Sequence, residues 1–176
     1  MKKFVFSLLA LTAFVPALAN AEIYLSVEGT RQGKFKGEST SKFFKDRLNV
    51  SSVSHEVVSP RDSQTGLATG RRQHKPLTVI RDVGSASPQF FLALATGENL
   101  KTVSLEFTSI DQRTGQEQIT YTIKLTNAGV ASQKAATIVR GGVSVLAEEV
   151  SFAYQSIEIE HVPSKTVASD TWTTTP

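Results

Sequence analysis

The chain contains no cysteine, which excludes disulfide bridges and any structural zinc site built on thiolates. Stability must then come from core burial, with neighbouring subunits as a further source. No apolar run is long enough to cross a bilayer: residues 4–15 are nearly unbroken in apolar character but fall well short of the ~20 residues a spanning helix needs. No G-x-S-x-G nucleophile elbow occurs. The three histidines, His55, His74 and His161, stand in neither H-x-x-x-H nor H-E-x-x-H spacing, so a helical two-histidine metal site is absent. His55 and Glu56 are neighbours that diverge to opposite faces of a strand, as are Glu148 and Glu149, which read as two solvated or interface carboxylates. The segment Gly29-Thr30-Arg31-Gln32-Gly33-Lys34 evokes a phosphate loop but is one spacer short and is followed by Phe35 rather than Ser or Thr. It reads as a flexible charged loop. No catalytic group, metal or cofactor is expected.

What is present begins with a leader. Lys2 and Lys3 form a positive start, residues 4–15 an apolar stretch, Pro16 a break, and Ala19-Asn20-Ala21 the small-x-small pattern of a cleavage site. Residues 1–21 are expected to be a signal peptide cut between Ala21 and Glu22, leaving the protein secreted or periplasmic and without stable membrane insertion. Cleavage of 21 of the 176 residues leaves 155, enough for one domain with its own core. It removes two lysines and no acid, so 17 basic residues face 16 acidic ones. That near-neutrality, with no aromatics beside the basic group Arg71, Arg72, His74 and Lys75, argues against a nucleic-acid partner. Pairing of this group with acids on a neighbouring subunit is the better reading.

Strand periodicity dominates the rest. Ile23, Leu25 and Val27 alternate with polar residues; residues 28–41 read as a loop; residues 48–58 read as one longer strand with Val53, His55 and Val57 on one face. A loop follows from 59 to 75, and at that length such a loop is functional or disordered. Residues 76–81 form a short strand. Ser87 as cap, Pro88 in the first turn and Gly97 as the left-handed stop bracket one helix, about 88–95. Residues 100–107 and the return strand through Ile119, Tyr121, Ile123 and Leu125 are joined by a hairpin turn at 111–116. Weaker strands at 130–140 and 143–147 flank Gly141-Gly142. Val150, Phe152 and Tyr154 share one phase, whereas Ile157 and Ile159 take the other. A bulge near Gln155-Ser156, or burial of both faces, accounts for that switch. Residues 163–176 read as a polar tail without regular structure, apart from Trp172. The fold class is mainly β: an antiparallel β-barrel of two packed sheets with one short flanking α-helix, in one domain.

Six blocks in order resemble the haemolysin-coregulated protein (Hcp) family, tube subunits of bacterial type VI secretion systems. They are Ile23-Tyr24-Leu25; Val53-Ser54-His55-Glu56-Val57-Val58-Ser59-Pro60; Thr69-Gly70-Arg71-Arg72-Gln73-His74-Lys75-Pro76-Leu77; Ala86-Ser87-Pro88 through Ala95-Thr96-Gly97; Glu149-Val150-Ser151-Phe152-Ala153-Tyr154-Gln155-Ser156-Ile157; and Ser169-Asp170-Thr171-Trp172. The resemblance implies an Hcp-like barrel over 22–162, a hexameric ring with a wide central hole, and rings that stack into a tube able to carry effector proteins. It also implies that the loop 59–75 reaches the next ring, with Arg61, Asp62, Arg71, Arg72, His74 and Lys75 as stacking residues. Implied partners are further copies of the chain, secreted effectors and other components of the apparatus. The leader departs from the family pattern, whose members are assembled in the cytoplasm and leave through the apparatus.

The expected function is a non-enzymatic, ring-forming tube relative. A secreted or periplasmic monomeric β-domain that binds a ligand or protein is the alternative. A hydrolase would need histidines and carboxylates converging in a pocket, so the positions of His55, His74 and His161 discriminate.

Overall fold

The computed structural model describes residues 22–171. The expected leader, Ala21 and Trp172 lie outside the described residues. Strand β1 (Ile23–Gly29) is followed by the short β2 (Gly33–Lys34), then β3 (Leu48–Val50), β4 (Ser52–Ser54), β5 (Val57–Val58), β6 (Gln73–His74) and β7 (Leu77–Asp82). Helix α1 (Ser87–Thr96) leads into β8 (Leu100–Ile110), the long β9 (Glu117–Arg140) and β10 (Val143–His161), and finally β11 (Thr166–Thr171). Nine strands make one antiparallel sheet in the order β2-β1-β8-β9-β10-β7-β4, with β3 also on β1 and β11 also on β10; β5 and β6 form a separate ribbon.

The strand expected over 48–58 is three strands, because one continuous segment serves three partners. β3 pairs with β1, β4 with β7, and β5 with β6. Residues 48–54 thus run from one edge of the sheet to the other and curl it into the barrel-like form expected, but β3 and β4 do not pair with each other, so no ladder closes the barrel. Inward residues of all the long strands, among them Leu25, Leu77, Leu105, Leu125 and Phe152, share one core.

The phase switch expected near Gln155-Ser156 is present, and it runs across the sheet. Buried positions change phase between Leu100 and Val103 on β8, between Leu125 and Ala128 on β9, and between Tyr154 and Ile157 on β10. The ladder keeps step through this row: Tyr154 pairs with Ala128 and Ser156 with Thr126. Asn127 sits in the row with φ +50° and its amide donates to Gln155 Oε1 at 2.8 Å. Because neighbouring strands turn together, no bulge is needed at Gln155. The one-residue shift of the β9–β10 ladder lies instead between Ser151 and Phe152, and the β1–β8 ladder shifts between Glu28 and Gly29, where Lys101 of β8 is the extra residue. Such a row bends a sheet sharply, as a closed shape requires.

Helix α1 closes one side of the core through Phe90, which is fully buried against Phe35 and Phe152 at ring distances of 5.1 and 6.0 Å. Pro88 occupies the first turn, and Gly97 ends the helix at φ +58°. Ser87 is not the cap. Ala86 holds that place, and the Ser87 hydroxyl is buried in other bonds described below.

The tail also differs from expectation. Val162–Ser164 form a 3-10 turn, Lys165 takes φ +54°, and β11 then pairs with β10 from Ser156↔Thr171 to His161↔Thr166. Almost every residue of β11 is exposed, so no alternation marks it. The free edge of β10 supplies its partner.

Candidate functional site

Residues 56–75 are an ordered hairpin arm rather than an irregular loop. Val57 pairs with His74 and Val58 with Gln73; Arg61 bridges to Ala68; Thr69 N donates to Pro60 O and Asp62 N to Leu67 O. At the tip, Asp62 Oδ1 accepts bonds from Gln64 N, Thr65 N and the Thr65 hydroxyl, and Arg61 donates to Gly66 O. The Thr65 backbone bond, then its hydroxyl and Gln64 N, hold the Asp62 carboxyl below the usual range. The arm therefore presents its shape without help from the core.

The base of the arm is tied to the barrel by side chains from four places in the sequence. The Tyr154 hydroxyl on β10 lies 2.8 Å from His55 Nε2 and 3.1 Å from His74 Nδ1. His74 Nε2 is 2.8 Å from Asp170 Oδ2 on β11, and Arg72 grips both oxygens of the same carboxylate. Arg72 first, with His74 and Thr171 N, pulls Asp170 far below the usual carboxylate range against a smaller effect of burial. Burial first, then the Asp170 charge, pushes the Tyr154 phenol up to about 12. Burial, then the neighbouring His74, lowers His55.

Two of the three histidines thus converge with a carboxylate, while His161 bonds Ser164 Oγ at 2.7 Å some way along β10. The group that His55 and His74 share is a phenol that keeps its proton at neutral pH. It is a hydrogen-bond donor and a poor nucleophile, so the arrangement clasps segments together.

Of the six expected stacking residues, Arg61 and Asp62 shape the arm tip, and Arg72 and His74 anchor its base within the same chain. Arg71 and Lys75 face solvent. Glu22, the expected new N-terminus, is fixed to the barrel: its carbonyl accepts from Thr108 N and its carboxylate from the Tyr24 hydroxyl at 2.5 Å. Burial, then Glu22, raises the Tyr24 phenol well above its ordinary value.

Glu148 corrects the expectation of a solvated pair. Glu149 is exposed, but Glu148 is buried and pairs with buried Arg81 at 2.5 Å. The Ser87 hydroxyl donates to Glu148 Oε1 at 2.7 Å and accepts from Gly84 N, while Gln133 donates to Glu148 Oε2 at 2.7 Å and to Ser87 O. One polar knot therefore binds β7, α1, β9 and β10. Its signal was in the sequence: Glu148 shares the inward phase of Val150, Phe152 and Tyr154, and Arg81 that of Leu77 and Val79.

The charged loop 29–34 is likewise fixed by a carboxylate of the chain itself. Glu98 Oε1 accepts from Arg31 N and Gln32 N, and Oε2 from the Gln32 amide at 2.9 Å. Burial pushes Glu98 up, and these bonds with the Arg31 charge more than offset it, so the group lies below its ordinary value.

Apolar surface collects on two flanks. The outer half of the β9–β10 hairpin exposes Ile138, Val139, Val143 and Leu146, and α1 exposes Phe91 and Leu92. The hairpin turns at Gly141 and Gly142, both with positive φ, +57° and +82°, which suits a tight two-residue turn.

Comparison with known proteins agrees with this architecture. The family described as type VI secretion system effector, Hcp, matches residues 24–161. A curated Pseudomonas aeruginosa protein named major exported protein is 31% identical over 162 residues, covering 85% of this chain and 94% of its own length. A solved Hcp protein superposes with a TM-score of 0.79 at 27% identity, covering 86% of this chain and 99% of the other. The Pseudomonas aeruginosa secreted protein Hcp3 superposes at 0.73 with 26% identity, covering 88% and 100%. The chain belongs to the Hcp family of type VI secretion system proteins.

Proposed function

We propose that the chain from Glu22 onward is a non-enzymatic, ring-forming subunit of the secretion tube type. Six copies close head to tail, the rings stack through the arm 56–75, and the lumen admits effector proteins. The observation that carries this reading is the outer β9–β10 hairpin. Its exposed Ile138, Val139, Val143 and Leu146 stand clear of the core, and such a patch suits a contact with a different patch on the next copy. Family membership supports the same reading, and the exported relative fits a secreted or periplasmic destination. Among the described residues no helix is long and apolar enough to cross a membrane. Each ring contact should bury on the order of 1,000 Å² or more.

The leader-like start favours a second reading, a monomeric exported β-domain that binds a ligand or protein. Electron microscopy of purified residues 22–176 separates the two. Rings with a central hole are expected; a field of single small particles at high concentration overturns the tube reading.

A further inference from the structure

We propose that His55, Tyr154, His74 and Asp170 form an acid-opened clasp that locks the arm and the tail strand onto the barrel near neutral pH and releases them on acidification. The clasp is a property of one chain; only its consequence for stacking rests on the tube reading above.

Hydrogen-bond capacity argues for it. A phenol has one proton to give and can accept two bonds. With both imidazoles neutral, His55 Nε2–H donates to Tyr154, Tyr154 donates to His74 Nδ1, and His74 Nε2–H donates to Asp170. Every atom in this chain is matched. A proton added at His55 Nδ1 leaves every bond as it stands, and one added at His74 Nδ1 reverses both Tyr154 bonds while His55 changes tautomer. A second proton leaves both rings donating to one oxygen, with the phenol proton deprived of its ring acceptor.

Charge argues the same way. Among the described residues, the groups facing the clasp include Arg72 and His74 from the arm, His55 from the segment before it, Tyr154 from β10 and Asp170 from β11. Glu56 and Lys75, the sequence neighbours of the histidines, are exposed, and β9 places Ala128 opposite Tyr154. A charged His55 adds positive charge beside His74, which shares the Asp170 carboxylate with Arg72. The His74 side chain is only 6% exposed, so water relieves little of that excess.

The sign follows from linkage. His55, lowered in the fold by burial and then by His74, takes up a proton more readily when its surroundings open. Its contribution is complete above the ordinary histidine value and is lost as pH falls through and below about 6.5. Arm and tail therefore loosen between pH 7.5 and 5.

The test is amide hydrogen exchange on the protein from Glu22, corrected for the intrinsic effect of pH and referred to β8. Protection of β5, β6 and β11 should fall about tenfold from pH 7.5 to 5, a change of the size one coupled proton supplies per pH unit. In the double variant His55→Gln, His74→Gln, which keeps polar side chains but cannot titrate there, the pH dependence should vanish. Tyr154→Phe should leave the arm loose at both pH values. Unchanged protection in the natural protein, or an equal fall in the double variant, overturns the clasp. Mass measured on the same samples keeps the questions apart. Monomers with a pH-sensitive arm support the clasp and sink the tube reading; rings with a pH-indifferent arm do the reverse.

Discussion

Arg81 and Glu148 face each other across the β7–β10 ladder at 2.5 Å, each with 1% of its side chain exposed. Removing Glu148 leaves buried Arg81 to the more exposed Glu38 carboxylate at 3.4 Å, a poorer counter-charge, which costs up to about 3–5 kcal/mol. Glu148→Gln should lower the stability of the chain by that order, read as the midpoint of denaturant unfolding at constant slope. The paired change Arg81→Met, Glu148→Leu should recover most of the loss. A single variant within about 1 kcal/mol of the parent contradicts the knot.

Phe90 and Phe91 are neighbours with opposite roles. Phe90 is fully buried and Phe91 is 66% exposed. Phe90→Ala should cost about 3–5 kcal/mol. Phe91→Ala should change the stability of a single chain by less than about 0.5 kcal/mol while weakening association between chains. Equal effects on unfolding midpoints remove the distinction.

Arg71 and Arg72 likewise diverge. Arg71 faces solvent, whereas Arg72 grips Asp170. Arg71→Glu should leave single rings intact and shorten tubes in electron micrographs. Arg72→Glu should do this and also release β11, seen as faster amide exchange at Thr166–Thr171. Long tubes from Arg71→Glu refute a stacking role for that residue.

Asp170 sets an acid limit distinct from that of the histidines. Its carboxyl is pulled down chiefly by Arg72, so its contribution is complete above the ordinary carboxylate value, about 3.9, and is lost only as pH falls further. Tail loosening between pH 7.5 and 5 therefore cannot come from Asp170. In Asp170→Asn the tail should exchange faster at all pH values above about 4; protection equal to the parent at neutral pH contradicts the anchor.

The parts of the fold legible in the sequence are those where one face is dry. Ile123 and Leu125 alternate with exposed residues, and Pro88 with Gly97 brackets a helix whose ends obey local rules. β11 left no such trace, because Val167 and its polar neighbours are exposed on both faces and only the edge of β10 orders them. The arm looked like a loop since its ribbon pairs just Val57 and Val58 with His74 and Gln73. Distance hides the site: Asp170 lies far along the chain from Arg72 and His74, and the adjacency of Glu148 and Glu149 masks the inward phase that Glu148 shares with Val150. The basic group at 71–75 was found from composition. Its division into an anchoring Arg72 and a free-standing Arg71 required the tertiary pairing.

The most direct measurement is the molar mass of purified residues 22–176 by light scattering, across concentrations up to the millimolar range. Six times the single-chain mass, falling when Val139 and Val143 are both replaced by serine, is the expected result. A single-chain mass at every concentration, indifferent to those replacements, contradicts a subunit whose flanks are built to meet.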